Sequence, residues 1–256
     1  MRIFSLIINS VKEEARYKAN LLGAVLALLI LNSLQFIFFD VLSVLVGSDR
    51  VDSNWLLIFF MSYAVGGLVA SFFRSSITEF FRQLTLGRVD SLLVRPFNLL
   101  ELILLRWGQV HYLLVAFLLV LICVISKKID FHPFAVNPVN TGLYVVTLIA
   151  GVVASITFLL GLSSFSFITQ RDLPVDYIHA SIFTFALLPE SFYSKNLLNI
   201  LLVVLPMIVF ASVALDALYN GLTWFVALFL FVVSATFFGV LKFVYRMFKR
   251  FDSIGG

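Results

Sequence analysis

The residues able to do chemistry are few, and they are scattered through an apolar chain. His111, His132 and His179 lie far apart and form no ligand set, and Cys123 is the single cysteine, so no internal disulfide or cysteine metal site can form. No G-x-x-x-x-G-K-[ST] phosphate loop, no H-E-x-x-H and no G-x-S-x-G occurs. The chain is therefore expected to have no catalytic residue and to bind no cofactor or metal.

Three other polar groups have spacings that suit transport or docking. Asp172, Asp176 and His179 stand at i, i+4, i+7 and share one face of a helix beginning after Pro174. Ionisable groups at membrane depth often mark a transport path, although carboxylates beside a helix N-terminus also interact well with its dipole. Asn32, Gln35 and Asp40 project from the outer half of the first apolar run, where they either line a polar path or hydrogen-bond neighbouring helices.

The densest group runs from Arg74 to Arg106 and carries Arg82, Arg88 and Arg95 between two apolar runs. Within it Ile77, Phe80, Phe81 and Leu84 recur at helical spacing, with Arg74, Glu79 and Arg82 largely on the other side. A basic segment between two spans belongs on the cytoplasmic side, but topology alone requires no acidic residue there. The mixture of Glu79, Arg82, Arg88 and Asp90 points to a surface that meets a partner. Gly87 can take the left-handed conformation that ends a helix running from about Ser75, Asp90 can cap the next short helix and Pro96 can stop it.

The elements that position these groups follow from composition. Of 256 residues, 61% are hydrophobic and 12% charged, which makes this an all-α integral membrane protein and a single domain, 1–256. The net charge of +4 is the retention of Lys and Arg in cytoplasmic loops, not a nucleic-acid footprint. Apolar runs occupy about 21–47, 54–73, 108–126, 142–169, 175–191, 198–215 and 222–245. Seven full spans would export either the N-terminal cations (Arg2, Lys12, Arg16, Lys18) or the C-terminal ones (Lys242, Arg246, Lys249, Arg250). Six keep both inside, with Arg171, and leave only Arg50, Lys127, Lys128 and Lys195 outside.

The expectation is therefore six transmembrane helices with both termini cytoplasmic and a cytoplasmic coupling segment, 74–107, between spans 2 and 3. The sixth run becomes an external re-entrant element, 192–216, in which Pro206 breaks the helical ladder. Residues 1–20 read as an interfacial helix: Ile3, Leu6, Ile7 and Val11 form its apolar face, and Arg2, Asn9, Lys12, Glu13 and Arg16 its polar one.

The run Gly87-Arg88-Val89-Asp90-Ser91-Leu92-Leu93-Val94-Arg95-Pro96 resembles a signature of bacterial ABC-2 type transporter permeases, in their six-span branch. Tyr17-Lys18-Ala19-Asn20 is similar to that family's entry into the first span. Leu205-Pro206 resembles its apolar-proline element, and Lys249-Arg250-Phe251-Asp252-Ser253 its basic-aromatic tail. Phe251 replaces an expected tyrosine, and Ala214 and Leu215 stand where a second proline is expected. The resemblance implies an exporter subunit in the bacterial cytoplasmic membrane. Its coupling residues would be Glu79, Arg82, Arg88, Asp90 and Arg95, seated in a groove of a separate ATP-binding subunit. Two copies of that subunit would bind ATP and magnesium, and a second permease, more often non-identical, would complete the substrate path, lined by the first, second and fifth spans. Asn32, Gln35, Asp40, Asp176 and His179 are the candidates for that path. A secondary transporter would need midplane ionisable or unwound elements and a repeated half, and no repeat is evident. A membrane scaffold would leave the charged segment with nothing to meet.

Overall fold

Asn137 and Pro138 start the helix around which the others assemble. The Asn137 side chain accepts from the amides of Val139 and Asn140, and Pro138 occupies a first-turn position where no amide is needed. The computed structural model describes residues 2–46, 53–89, 98–169, 171 and 173–249. The helices are α1 (Arg2–Ala15), α2 (Lys18–Val46), α3 (Ser53–Thr85), α4 (Leu99–Leu105), α5 (His111–Ser126), α6 (His132–Val136), α7 (Pro138–Ser163), α8 (Ser166–Thr169), α9 (Val175–Phe183), α10 (Lys195–Val204), α11 (Pro206–Asn220) and α12 (Trp224–Lys249). Two 3₁₀ turns, Thr184–Leu187 and Glu190–Phe192, follow α9. No strand occurs among the described residues.

Helix α7 packs on α3, α11 and α12, while α2 and α5 lie on the far side of α3. Small residues set how closely these helices approach. A Cβ on Gly66 of α3 or on Gly151 of α7 would come within 2.5 Å of the Phe210 side chain, so both helices close on that one ring. Phe210 is 1% exposed and stacks on Phe183 at 6.1 Å. Two polar contacts tie helices together: Ser62 Oγ and Tyr144 Oη, both buried, lie 2.8 Å apart, and half-buried Asn140 donates to the Leu218 carbonyl at 3.2 Å. Pairing of this kind is what an apolar surround demands.

Among the described residues, four helices are long and apolar enough to cross a membrane: α2 over Lys18–Leu42, α3, α7 continued to Thr169, and α12. A fifth span exists if α10 and α11 count as one broken helix. The runs expected to be the third and fifth spans are shorter than their hydropathy suggested. α5 has 16 residues, about 24 Å at 1.5 Å per residue. α9 passes into a 3₁₀ turn that ends at Leu187, two residues before Pro189.

Two further differences concern helix breaks. The amphipathic stretch expected as a separate helix from about Ser75 is the end of α3, which runs unbroken from Ser53. Pro206 marks a break, as expected, but at a helix boundary. It sits at the first position of α11, where its missing amide costs nothing, and the break falls at Leu205, with α10 and α11 bent by 113°. Leu205 still donates to Leu201 at 2.8 Å. Ala214 and Leu215, where a second proline was expected, are fully buried within an uninterrupted α11.

A candidate coupling surface and the candidate polar path

The 33 residues of α3 extend about 50 Å, several turns more than the ~30 Å hydrocarbon core needs, and Arg74, Glu79 and Arg82 fall on its last turns. Ile77, Phe80, Phe81 and Leu84 on those turns are each at most 3% exposed. They pack with Leu102 and Ile103 of α4, Leu159 and Leu160 of α7 and Val244 of α12 in a second core, separate from the one around Phe210. The helix ends as the glycine predicts. Gly87 has φ +68°, its amide bonds Leu84 at 3.0 Å, and the Arg88 amide bonds Gln83 at 3.0 Å, which together form a Schellman closure.

The opposite face carries the charges. Arg82 Nε and Nη2 donate to Glu79 at 2.9 and 2.8 Å, and Gln83 adds a third bond at 2.6 Å. Partial burial pushes the Glu79 carboxyl up, but these donors and the Arg82 charge outweigh it and hold the carboxyl below its ordinary value. Arg82 is 55% exposed and Arg88 is exposed, so both guanidinium groups face outward. Asp90 and Arg95 lie outside the described residues, as do Pro96, Asp172, Phe251 and the residues after it.

Residues that the sequence reading did not single out hold this region together. Ser10, Glu13 and Glu14 lie on one face of α1. Ser10 donates to the Leu105 and Arg106 carbonyls, Glu13 pairs with Arg106 at 3.1 Å, and Glu14 accepts from the Val110 and His111 amides at 2.8 and 3.2 Å. Glu14 thus caps the start of α5 from another helix, where a carboxylate meets free amides and the positive end of the dipole. The available signal was an acidic pair in an otherwise basic leader. A cleft of about 650 Å³ opens beside this contact, between α1, α3, the start of α5 and α9, with Glu13, Glu14, Arg74, Glu79 and Asp176 on its walls.

The candidate path residues divide between two places. Asn32 is buried and donates to Leu28 of its own helix at 2.8 Å, Gln35 is half-buried, and Asp40 pairs with Lys128 after α5. These lie on α2, whose neighbours are α1, α3 and α5. Asp176 and His179 lie on α9, whose neighbours are α3, α7 and α11. There Asp176 is exposed and sits 3.8 Å from Arg74, in the first turn as expected. His179 is buried 2% exposed, stacked on Phe183 at 5.4 Å, and neither ring nitrogen has a hydrogen-bond partner. The described residues hold no group of three or more His, Cys, Asp or Glu able to bind a metal.

The description "ABC-2 family transporter protein" matches residues 29–255, nearly the whole chain. The chain belongs to that family. This ABC-2 permease is thus a membrane transport component and not itself a catalyst, and its family generally works with an ATP-binding subunit. No curated protein and no solved structure matches the chain.

Proposed function

We propose that this permease is the transmembrane subunit of an ATP-driven exporter in the bacterial cytoplasmic membrane, with both termini cytoplasmic. Two copies of a separate ATP-binding subunit would carry ATP and magnesium, and a second permease, non-identical in preference to identical, would face it across the substrate path. The observation that supports this most is the continuity of α3: one helix joins the ring-packed core at Gly66 to the guanidinium groups at its far end. A push on Arg82 would move the core without an intervening hinge, and Arg88 follows directly on the Gly87 closure. In this reading Glu79, Arg82, Arg88, Asp90 and Arg95 meet the ATPase, and Asn32, Gln35, Asp40, Asp176 and His179 border the path. With α5 and α9 counted as thin spans, and α10–α11 as a re-entrant element around Pro206, six spans result. The bend at Leu205 supports that assignment.

The test is hydrolysis. The purified chain alone should neither bind nor hydrolyse ATP, and activity should appear only with the co-purified subunit. ATP hydrolysis by the isolated chain would remove the division of labour. For topology, a cysteine at 196 should react from outside and one at 253 only from inside; the reverse pattern would sink the six-span arrangement.

A further inference from the structure

The Leu205–Pro206 break leaves a groove of about 320 Å³ between α7 and α12, two helices' worth of apolar wall. Its walls include Thr157 and Gly161 of α7 and Thr236 and Val240 of α12. Both threonine hydroxyls are already committed to their own helices: Thr157 donates to Val153 at 2.7 Å, and Thr236 to Val232 at 2.8 Å. The groove therefore offers little to water, which needs two to four polar partners to stay in a cavity. Left empty, its lining would forfeit dispersion contacts on one side. An apolar occupant answers both conditions. The volume equals that of about ten waters at ~30 Å³ each, which suits one alkyl chain.

Charge identifies the rest of the occupant. At the end where the exposed rings of Phe165 and Phe243 approach, 6.4 Å apart, α12 continues into Lys242, Arg246 and Lys249, all exposed. Helices α7, α8, α10 and α12 contain no carboxylate. We propose that this groove is a site for an anionic phospholipid, with one acyl chain against Gly161 and the break and its phosphate beside Arg246. The site goes beyond the exporter reading, which it uses only to assign the leaflet as the cytoplasmic one.

Gly161→Leu fills the groove without a backbone clash, because a Cβ there would lie 3.7 Å from Val240. The full chain is reconstituted in nanodiscs of equal dioleoyl phosphatidylglycerol and dioleoyl phosphatidylcholine, released, and read by native mass spectrometry. The wild type should keep one phosphatidylglycerol per chain, and Gly161→Leu should lose it. Arg246→Gln, an exposed substitution that leaves packing untouched, should lower the preference for phosphatidylglycerol about fivefold, the worth of one basic residue at an anionic surface. Equal lipid retention by wild type and Gly161→Leu would overturn the site. So would an unchanged headgroup preference in Arg246→Gln, which also decides the matter if Gly161→Leu does not fold. A disulfide between two Phe165→Cys chains in native membranes would show protein, not lipid, at the groove mouth and overturn it as well. None of these readouts depends on an ATPase, so the exporter reading stands or falls separately.

Discussion

Helices α2 and α3 are both apolar enough to cross a bilayer, yet they do opposite things. In the most apolar stretch of α3, 67% of residues are buried inside the bundle; in that of α2, only 11% are. Leu22, Leu26, Ile30, Leu34 and Phe38 of α2 all point outward. The glycines express the same contrast. A Cβ on Gly66 of α3 would strike Phe210, whereas nothing lies within 4 Å of one on Gly23 of α2. Both sequences are hydrophobic all round, so hydropathy cannot separate a bundle's centre from its lipid-facing or partner-facing edge. Close approach of small residues to rings separates them.

The largest test of that contrast is Gly151→Leu, on the α7 side of the same contact. Its Cβ would lie 2.5 Å from the Cβ of Phe210, which cannot swing away without moving α11. A loss of about 3 kcal/mol or more is expected, seen as failure to recover a monodisperse chain or a steep fall in thermal stability in detergent. A Gly151→Leu chain as stable as wild type would mean that α7 and α11 do not meet at this ring.

Next in size is Glu14→Ala. It removes the cap on α5 and one of the two acidic contacts between α1 and the α4–α5 turn, and it should cost about 1–2 kcal/mol in thermal stability. Glu14→Gln, which keeps an acceptor, should restore part of the loss. If neither variant differs from wild type, Glu14 does not cap α5.

How much was legible in the sequence follows from such particulars. The buried stripe of Ile77, Phe80, Phe81 and Leu84 and the closure at Gly87 were readable because both rest on local rules, helical period and positive φ. The start of α9 after Pro174 was readable for the same reason. The unbroken run of α3 was not, because the polar residues from Arg74 onward look like the end of a span, although helical hydrogen bonding continues through them. The cross-helix cap by Glu14 was also hidden, since its partners are 96 and 97 residues away. Of the candidate path, the sequence named the polar residues but not their division between α2 and α9, which depends on which helices pack together.

A smaller effect concerns pH at the end of α3. Glu79 titrates below its usual 4.5 in the folded chain, because the donors from Arg82 and Gln83 outweigh burial. Its contribution is therefore present above pH 4.5 and fades as pH falls through the lowered value. The carboxylate is 24% exposed and its partner 55%, so screening keeps the change small. Thermal unfolding of wild type and Glu79→Gln compared from about pH 7 to about pH 3 should converge toward the acid end. A difference between them that does not change with pH would mean that the pair does not contribute. The least effect is expected from Gly23→Leu, within about 0.5 kcal/mol, which completes the contrast with Gly151.

Whether an ATP-binding subunit docks at the end of α3 and the turn beyond it is decided by a pull-down of that subunit with the Arg82→Glu, Arg88→Glu double variant, alongside thermal stability of the permease. Both residues face solvent, so stability should stay within about 0.5 kcal/mol per site, whereas like charges placed across an interface cost several kcal/mol. A well-folded permease that recovers far less ATPase than the wild type is expected. Full recovery of the ATPase with a normally folded double variant would contradict it.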